Sequence, residues 1–342
     1  MDQIIGAKMI IYLTLLLILS FVFPSGYPGS SFQYGVNSKN VSLAGSTVSS
    51  KHIGFNGFAN PASLSEINKL EIGFSNFMMS LNRSVLATSI ERTLPPGDAG
   101  AGISIVRIGI SEIQGYDSDG NYEDIFSVSE TMLLFSFGKF IKKNFNVGFN
   151  IKYLYNNLYF ENSSSIGFDL GIKSTWTVPE QFKTLGEHIS LGFKIENLGN
   201  KYLWKTKDGQ YTKEYCQKFP INLKFGISTK SDKYMILIQQ DIYAINQSGN
   251  YSCQYNDDNN DVSRYYLFNP RLGFEYNIRK GLDFRCGMKK NSDFNNSKFM
   301  IFAGFGIDYM IKDKPLKFDY AIDLGGNKEG WSHNFTTSLD LK

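Results

Sequence analysis

From Asn144 to Asn156 the chain alternates with one exception. Phe145, Val147, Phe149, Ile151, Tyr153 and Tyr155 are apolar, Asn144, Asn146, Gly148, Asn150, Lys152 and Asn156 are polar or small, and only Leu154 breaks the pattern. Successive strand residues point to opposite faces, so this stretch has one apolar and one polar face. At ~3.3 Å per residue, a strand of this length tilted by ~45° just crosses the hydrocarbon of a bilayer. The pattern recurs towards the C-terminus, for example at Ile166, Phe168, Leu170 and Ile172, at Leu282, Phe284, Cys286 and Met288, and at Leu316, Phe318, Tyr320 and Ile322.

Fourteen such strands are expected between Leu70 and Lys342. An even count is what a single-chain bacterial barrel needs when both ends of the chain lie in the periplasm. Connection lengths support the same reading. The stretches Ser111–Val128, Gly199–Phe219 and Gln247–Tyr265 read as long polar loops, whereas Ile141–Lys143, Ser231–Lys233 and Arg279–Gly281 read as tight turns. Long loops outside and short turns inside is the asymmetry of outer-membrane barrels. Thr175–Glu187 breaks it, being long at a periplasmic position. A soluble β-sandwich would alternate too, because one face of each sheet packs on a core. Its strands average ~5–6 residues, shorter than several of these. The expected fold is therefore all-β: a 14-stranded antiparallel transmembrane β-barrel over residues 67–342, with outer-membrane lipid around it.

The bulk numbers agree. Lys plus Arg (35) nearly balances Asp plus Glu (32), so no nucleic-acid partner is expected. The 28 Phe and 20 Tyr suit a lipid-facing wall and its interfacial girdles. Residues 1–26 read as a signal peptide: Lys8 precedes an apolar run from Met9 to Phe23, and Pro24, Ser25 and Gly26 form a small-residue exit. The chain is thus expected in the bacterial outer membrane.

Residues 27–66 do not alternate. They are rich in Gly, Ser and Asn and contain Ser42-Leu43-Ala44-Gly45-Ser46 and then Phe58-Ala59-Asn60-Pro61-Ala62-Ser63-Leu64. Asn60-Pro61 is a turn starter. Composition alone leaves this segment either a lumenal plug or a disordered leader. The order of these two motifs followed by fourteen strands resembles the FadL superfamily of outer-membrane proteins, and within it the PorV/PorQ branch associated with type IX secretion. That resemblance implies an N-terminal hatch over residues 27–66, with Gly45, Asn60, Pro61 and Ala62 as its motif. Gly100, Gly102, Arg107 and Gly109 interrupt the third strand and are expected to bend the wall beside that turn.

No catalytic or metal site is expected, and no cofactor. The three histidines, His52, His188 and His333, match no hydrolase or zinc pattern. His188 and Ser190 lie two apart but lack an orienting acid. The acidic runs Asp117–Asn121 and Asp257–Asp261 lack the glycine and distal Glu of a calcium loop and read as solvated turns. Of three cysteines, Cys216 and Cys253 fall in connections assigned to the outer side, and one surface bridge between them is expected. Two functions follow from the resemblance. The first is handling or attaching exported proteins, with secretion-system components or cargo as partners. The alternative is passive transport of hydrophobic small molecules.

Overall fold

The computed structural model describes residues 27–208, 211–246, 264–291, 298–311, 314–325 and 330–341. The signal-peptide reading of residues 1–26, Cys253 and the acidic run Asp257–Asp261 lie outside the described residues.

Sixteen strands form among the described residues. They are β1 (Leu70–Met78), β2 (Arg83–Leu94), β3 (Ala99–Tyr116), β4 (Tyr122–Lys142), β5 (Phe145–Leu158), β6 (Glu161–Thr177), β7 (His188–Leu198) and β8 (Lys201–Asp208). The second half comprises β9 (Tyr211–Lys218), β10 (Ile221–Lys230), β11 (Tyr234–Asn246), β12 (Arg264–Arg279), β13 (Leu282–Asn291), β14 (Lys298–Ile311), β15 (Lys314–Asp323) and β16 (Ser332–Leu341). Fourteen of them close into one barrel of sequential antiparallel neighbours, with β1 pairing β16 from Leu70↔Leu341 to Met78↔His333. Only β8 and β9 stand apart, as a two-stranded sheet between β7 and β10.

The alternation decides which way this sheet faces. Phe149 is 42% exposed and its neighbour Asn150 is 0%. The same holds round the ring: Phe168, Leu170, Leu191, Phe225 and Phe284 point out, while Asp169, Lys194, Asp241 and Arg285 are buried. A soluble sandwich would bury the apolar set. Here the polar set is inside and the apolar set forms the outer wall, an arrangement stable only where that wall meets hydrocarbon.

Two connections differ from the sequence reading. Gly199–Phe219, read as a polar loop, holds the β8–β9 hairpin. Most of Ser111–Val128 is strand, because β3 and β4 continue to the turn after Tyr116. The long connection Thr175–Glu187 contains a single 3-10 turn, Glu180–Leu185, clipped at its base by Val178 N–H donating to the Glu187 carbonyl.

Candidate functional site

Residues 27–66 lie within the ring of strands. Their regular pieces are short: a 3-10 turn at Ser30–Tyr34, helical turns at Ser38–Ser42 and Asn56–Ala59, and a second 3-10 turn at Pro61–Glu66. Each is set by local chemistry. The Asn37 side chain accepts from Asn40 N–H to cap the first helical turn, and the Asn60 side chain accepts from Ala62 N–H with Pro61 opening the 3-10 turn. Helices this short have no stability of their own. The barrel wall holds them.

That hold is polar and reaches round the circumference. The Ser38 hydroxyl sits 2.6 Å from Asn334 Oδ1, on β16. Arg271 of β12 donates to the Ala44 carbonyl at 3.0 Å and pairs with Asp241 of β11 at 2.8 Å. Glu71 of β1 and Glu91 of β2 face each other across the ladder and divide the loop at residues 54–57 between them. Gly54 N–H and Asn56 Nδ2 donate to Glu71, and Gly57 N–H and Asn56 Nδ2 donate to Glu91, at 2.8–3.0 Å. Lys194 of β7 donates to the Phe58 carbonyl at 2.7 Å. Asn60 Nδ2 donates to the Val48 carbonyl and, at 3.1 Å, to that of Ile172 on β6.

Lumen-facing glycines supply the space. A Cβ at Gly148 would lie 2.4 Å from the Pro61 carbonyl carbon, one at Gly138 2.3 Å from the Pro61 oxygen, and one at Gly171 2.2 Å from Asn60 Oδ1. Gly192 stands in the same relation to Val48, Gly287 to Leu43 and Gly100 to the Leu64 carbonyl. In sequence these glycines occupy polar-face positions of the alternation. That is the signal by which they could have been read as a docking surface rather than as small polar-face fillers.

The expected site residues therefore separate. Asn60, Pro61 and Ala62 pack against β4, β5 and β6, and Leu64 just beyond them reaches Gly100 of β3. Gly45 is across the lumen, in the left-handed region (φ 75°) with no room for a Cβ beside the Arg271 guanidinium. Gly102 abuts Glu91, whereas a Cβ at Gly109 would meet only ordinary contacts, and Arg107 is exposed on the outer face. The β3 ladder runs unbroken from Ala99 to Ile110 on both sides. Its register shift falls later, between Ile110 and Ile113, where Glu112 has φ 57°. The irregularity thus lies beyond the glycines expected to bend the wall.

Between the segment and the wall is an internal cavity of about 70 Å³. Its lining interleaves Phe32, Phe58, Leu134, Leu154 and Phe219 with Lys152, Asp169, Lys194, Glu196, Lys224 and Arg271, the Lys194 ammonium lying 5.8 Å over the Phe58 ring. The ions are linked: Lys152 to Asp169 at 2.7 Å, Lys194 to Glu196 at 2.8 Å, Lys224 to Glu196 at 2.9 Å. Four cations line the cavity against two carboxylates, and Asp241 behind Arg271 neutralises a third. One positive charge is left in excess in a space also lined by apolar side chains. Such a space suits an amphiphile with an anionic head.

The β8–β9 hairpin packs beside this cavity, against Phe219 of its lining. Tyr202 and Trp204 turn inward and are buried, Leu203 and Tyr215 outward. The Tyr202 hydroxyl donates to Glu130 at 2.6 Å, and its ring packs on Phe219 at 5.0 Å. Burial and the adjacent carboxylate push the phenol's pKa up, so it remains a donor. Ser31 donates to the same carboxylate from the N-terminal segment. Sequence reading missed this hairpin, although Tyr202, Trp204 and the Asp208-Gly209 dipeptide carried the alternation and turn signals for it. Cys216, on β9 opposite Leu203, is disulfide-bonded, and Cys286 is a free thiol.

The remaining chemistry is sparse. Ser190 Oγ shares its hydrogen bond with Thr175, 2.9 Å away, rather than with His188. The Asp117 carboxylate accepts from Asp119 N–H, Asn121 N–H and Asn121 Nδ2, the self-contained bonding of a turn. Among the described residues no three His, Cys, Asp or Glu side chains are grouped to hold a metal.

No sequence family matches the chain, and no curated protein does. Solved structures do. A Pseudomonas aeruginosa FadL homologue aligns over 94% of this chain and 100% of its own, with a TM-score of 0.58 at 9% identity. The Pseudomonas putida toluene transporter TodX aligns over 93% and 98%, TM-score 0.56, 11% identity. The Ralstonia pickettii toluene transporter TbuX aligns over 90% and 98%, TM-score 0.55, 12% identity. At these identities the likeness is one of fold: this chain has the FadL-type barrel architecture.

Proposed function

We propose that this chain is a bacterial outer-membrane channel for hydrophobic small molecules, in which residues 27–66 act as a hatch. The observation that carries the reading is the internal cavity. It lies between the N-terminal segment and the wall, and its lining combines apolar side chains with one cation in excess of the carboxylates. The likeness of fold to two toluene transporters and a FadL homologue supports the same reading. The preferred cargo is then an apolar molecule bearing at most one acidic group, entering from the outer mouth once the β8–β9 hairpin moves. At about 70 Å³ the space is smaller than the ~300 Å³ of an ordinary ligand pocket, so cargo enters only as the hatch or hairpin shifts.

That closure also favours a second reading, the PorV/PorQ-like handling of exported proteins, for which a sealed lumen is no obstacle. One experiment separates them. Lipopolysaccharide-coated cells lacking their own hydrophobic channel are given labelled toluene and a labelled long-chain fatty acid, with and without this protein. The transport reading expects faster uptake of at least one, and faster still when residues 30–64 are deleted. No gain for either, from a barrel verified in the outer membrane, refutes transport and leaves the protein-handling reading.

A further inference from the structure

The β3–β4 hairpin outruns both of its neighbours. The last β2 pair is Arg83↔Ile110 and the last β5 pair is Leu158↔Val128, yet β3 and β4 continue to pair through Ile113↔Phe126 and Tyr116↔Tyr122. Ser111 N–H still donates to the Asn82 carbonyl at 3.2 Å; beyond it, residues 112–127 are a two-stranded ribbon projecting past the barrel rim, with no described strand laddered to either edge. Isolated ribbons are marginal in water, and open edges are normally blunted or covered.

This one is not apolar-poor, and no described strand covers it. Tyr116, Tyr122 and Ile125 are all more than half exposed, and at its root the Phe126 and Tyr159 rings pack at 4.8 Å beside Phe160, which is 87% exposed. Its charge has a single sign. Residues 111–127 carry Glu112, Asp117, Asp119, Glu123 and Asp124 and no lysine or arginine. Glu112 is engaged by Asn82, Asp117 by its own turn and Asp124 Oδ1 by the Ile125 N–H at 2.7 Å, which leaves Asp119 and Glu123 as the outward charges, with the exposed Asp124 beside them.

We infer that this ribbon is a docking edge for an extended, basic polypeptide segment that adds to it as a further strand. Backbone donors and acceptors other than the Ile125 N–H, which Asp124 takes, supply the pairing, the tyrosines receive lysine or arginine by cation–π contact, and the carboxylates select positive charge. The same carboxylates exclude a second copy of the ribbon, since like charges would meet along the edge. The inference is independent of what passes through the lumen.

The test uses the full chain in detergent micelles and a fluorescent peptide of about eight residues alternating lysine and valine, long enough to pair with residues 122–127. A glutamate–valine peptide and dextran serve as comparators. The lysine peptide should bind saturably, about tenfold or more tighter than the glutamate peptide, and weaken with added salt. Glu123→Lys with Asp124→Lys should cost about tenfold. Amide exchange at residues 122–127 of the unaltered protein should slow when peptide is added. Equal binding of both peptides, a charge reversal without effect, or unchanged exchange at 122–127 overturns the proposal. So does binding of dextran in place of peptide, which would mark a glycan surface. The exchange measurement decides the matter even if the charge-reversed protein fails to assemble.

Discussion

Gly148→Ala is the smallest change that should unseat the N-terminal segment proposed as a hatch. The added methyl would lie 2.4, 2.5 and 2.6 Å from three atoms of the Pro61–Ala62 peptide, against an ordinary contact beginning at 3.4 Å. The intruded atoms are backbone, so no rotamer relieves them, and the turn must retreat by about 1 Å (3.4 less 2.4). Overpacking of this kind costs roughly 1–3 kcal/mol. The retreat also stretches the Asn60 bonds to the Val48 and Ile172 carbonyls, now 2.8 and 3.1 Å, at about 1 kcal/mol for each one lost. The sum, roughly 2–5 kcal/mol, raises the open-to-closed ratio of the hatch by about 30-fold or more. Single-channel recording in planar bilayers should then show frequent openings where the parent is silent, while heat-modifiable gel migration reports an intact barrel. Gly109→Ala is the control, because its methyl meets nothing closer than 3.5 Å. If Gly148→Ala is as quiet as the parent, or Gly109→Ala as noisy as Gly148→Ala, the glycine ring does not seat the segment.

Arginine at neighbouring wall positions should fail in two different ways. Phe149→Arg places charge on the lipid face, at ~2–4 kcal/mol near the midplane, and should lower the assembled fraction in the outer membrane. Asn150→Arg should assemble but leak, because Asn150 is fully buried and donates to the Gly57 carbonyl and to Asp169; identical assembly and conductance for the pair would contradict the inside-out wall. His52 is buried in the segment with Nδ1 unpartnered, and burial, then the charge of Lys39, hold its pKa well below the usual 6.5. Its neutral form is the one that fits, so this contribution to hatch stability is complete above pH 6.5 and is lost as pH falls below it. Protease protection of residues 27–66 should decline on acidification and do so less in His52→Gln; a pH-independent parent rules the effect out. Finally, mass mapping of non-reduced protein should recover a Cys216–Cys253 peptide and a free Cys286, and recovery of free Cys253 would exclude that pairing.

The alternation of Phe149 with Asn150, and of Phe168 with Asp169, was enough to establish the fourteen wall strands and their outward apolar face, though not the full length of β3 and β4. Side-chain direction has a period of two wherever a strand forms, so those properties are local and readable from spacing. The β8–β9 hairpin was legible on the same grounds but hidden among lysines. What the sequence could not determine was where residues 27–66 go. Their short turns carry no period, and their stability is drawn from Glu71, Glu91, Lys194, Arg271 and Asn334, residues distant in sequence and brought together only when β1 meets β16. A glycine such as Gly148 is a small residue in the sequence. It becomes a seat only once barrel closure brings the Pro61 carbonyl against it, and that proximity is a property of the closed ring rather than of any segment of the chain.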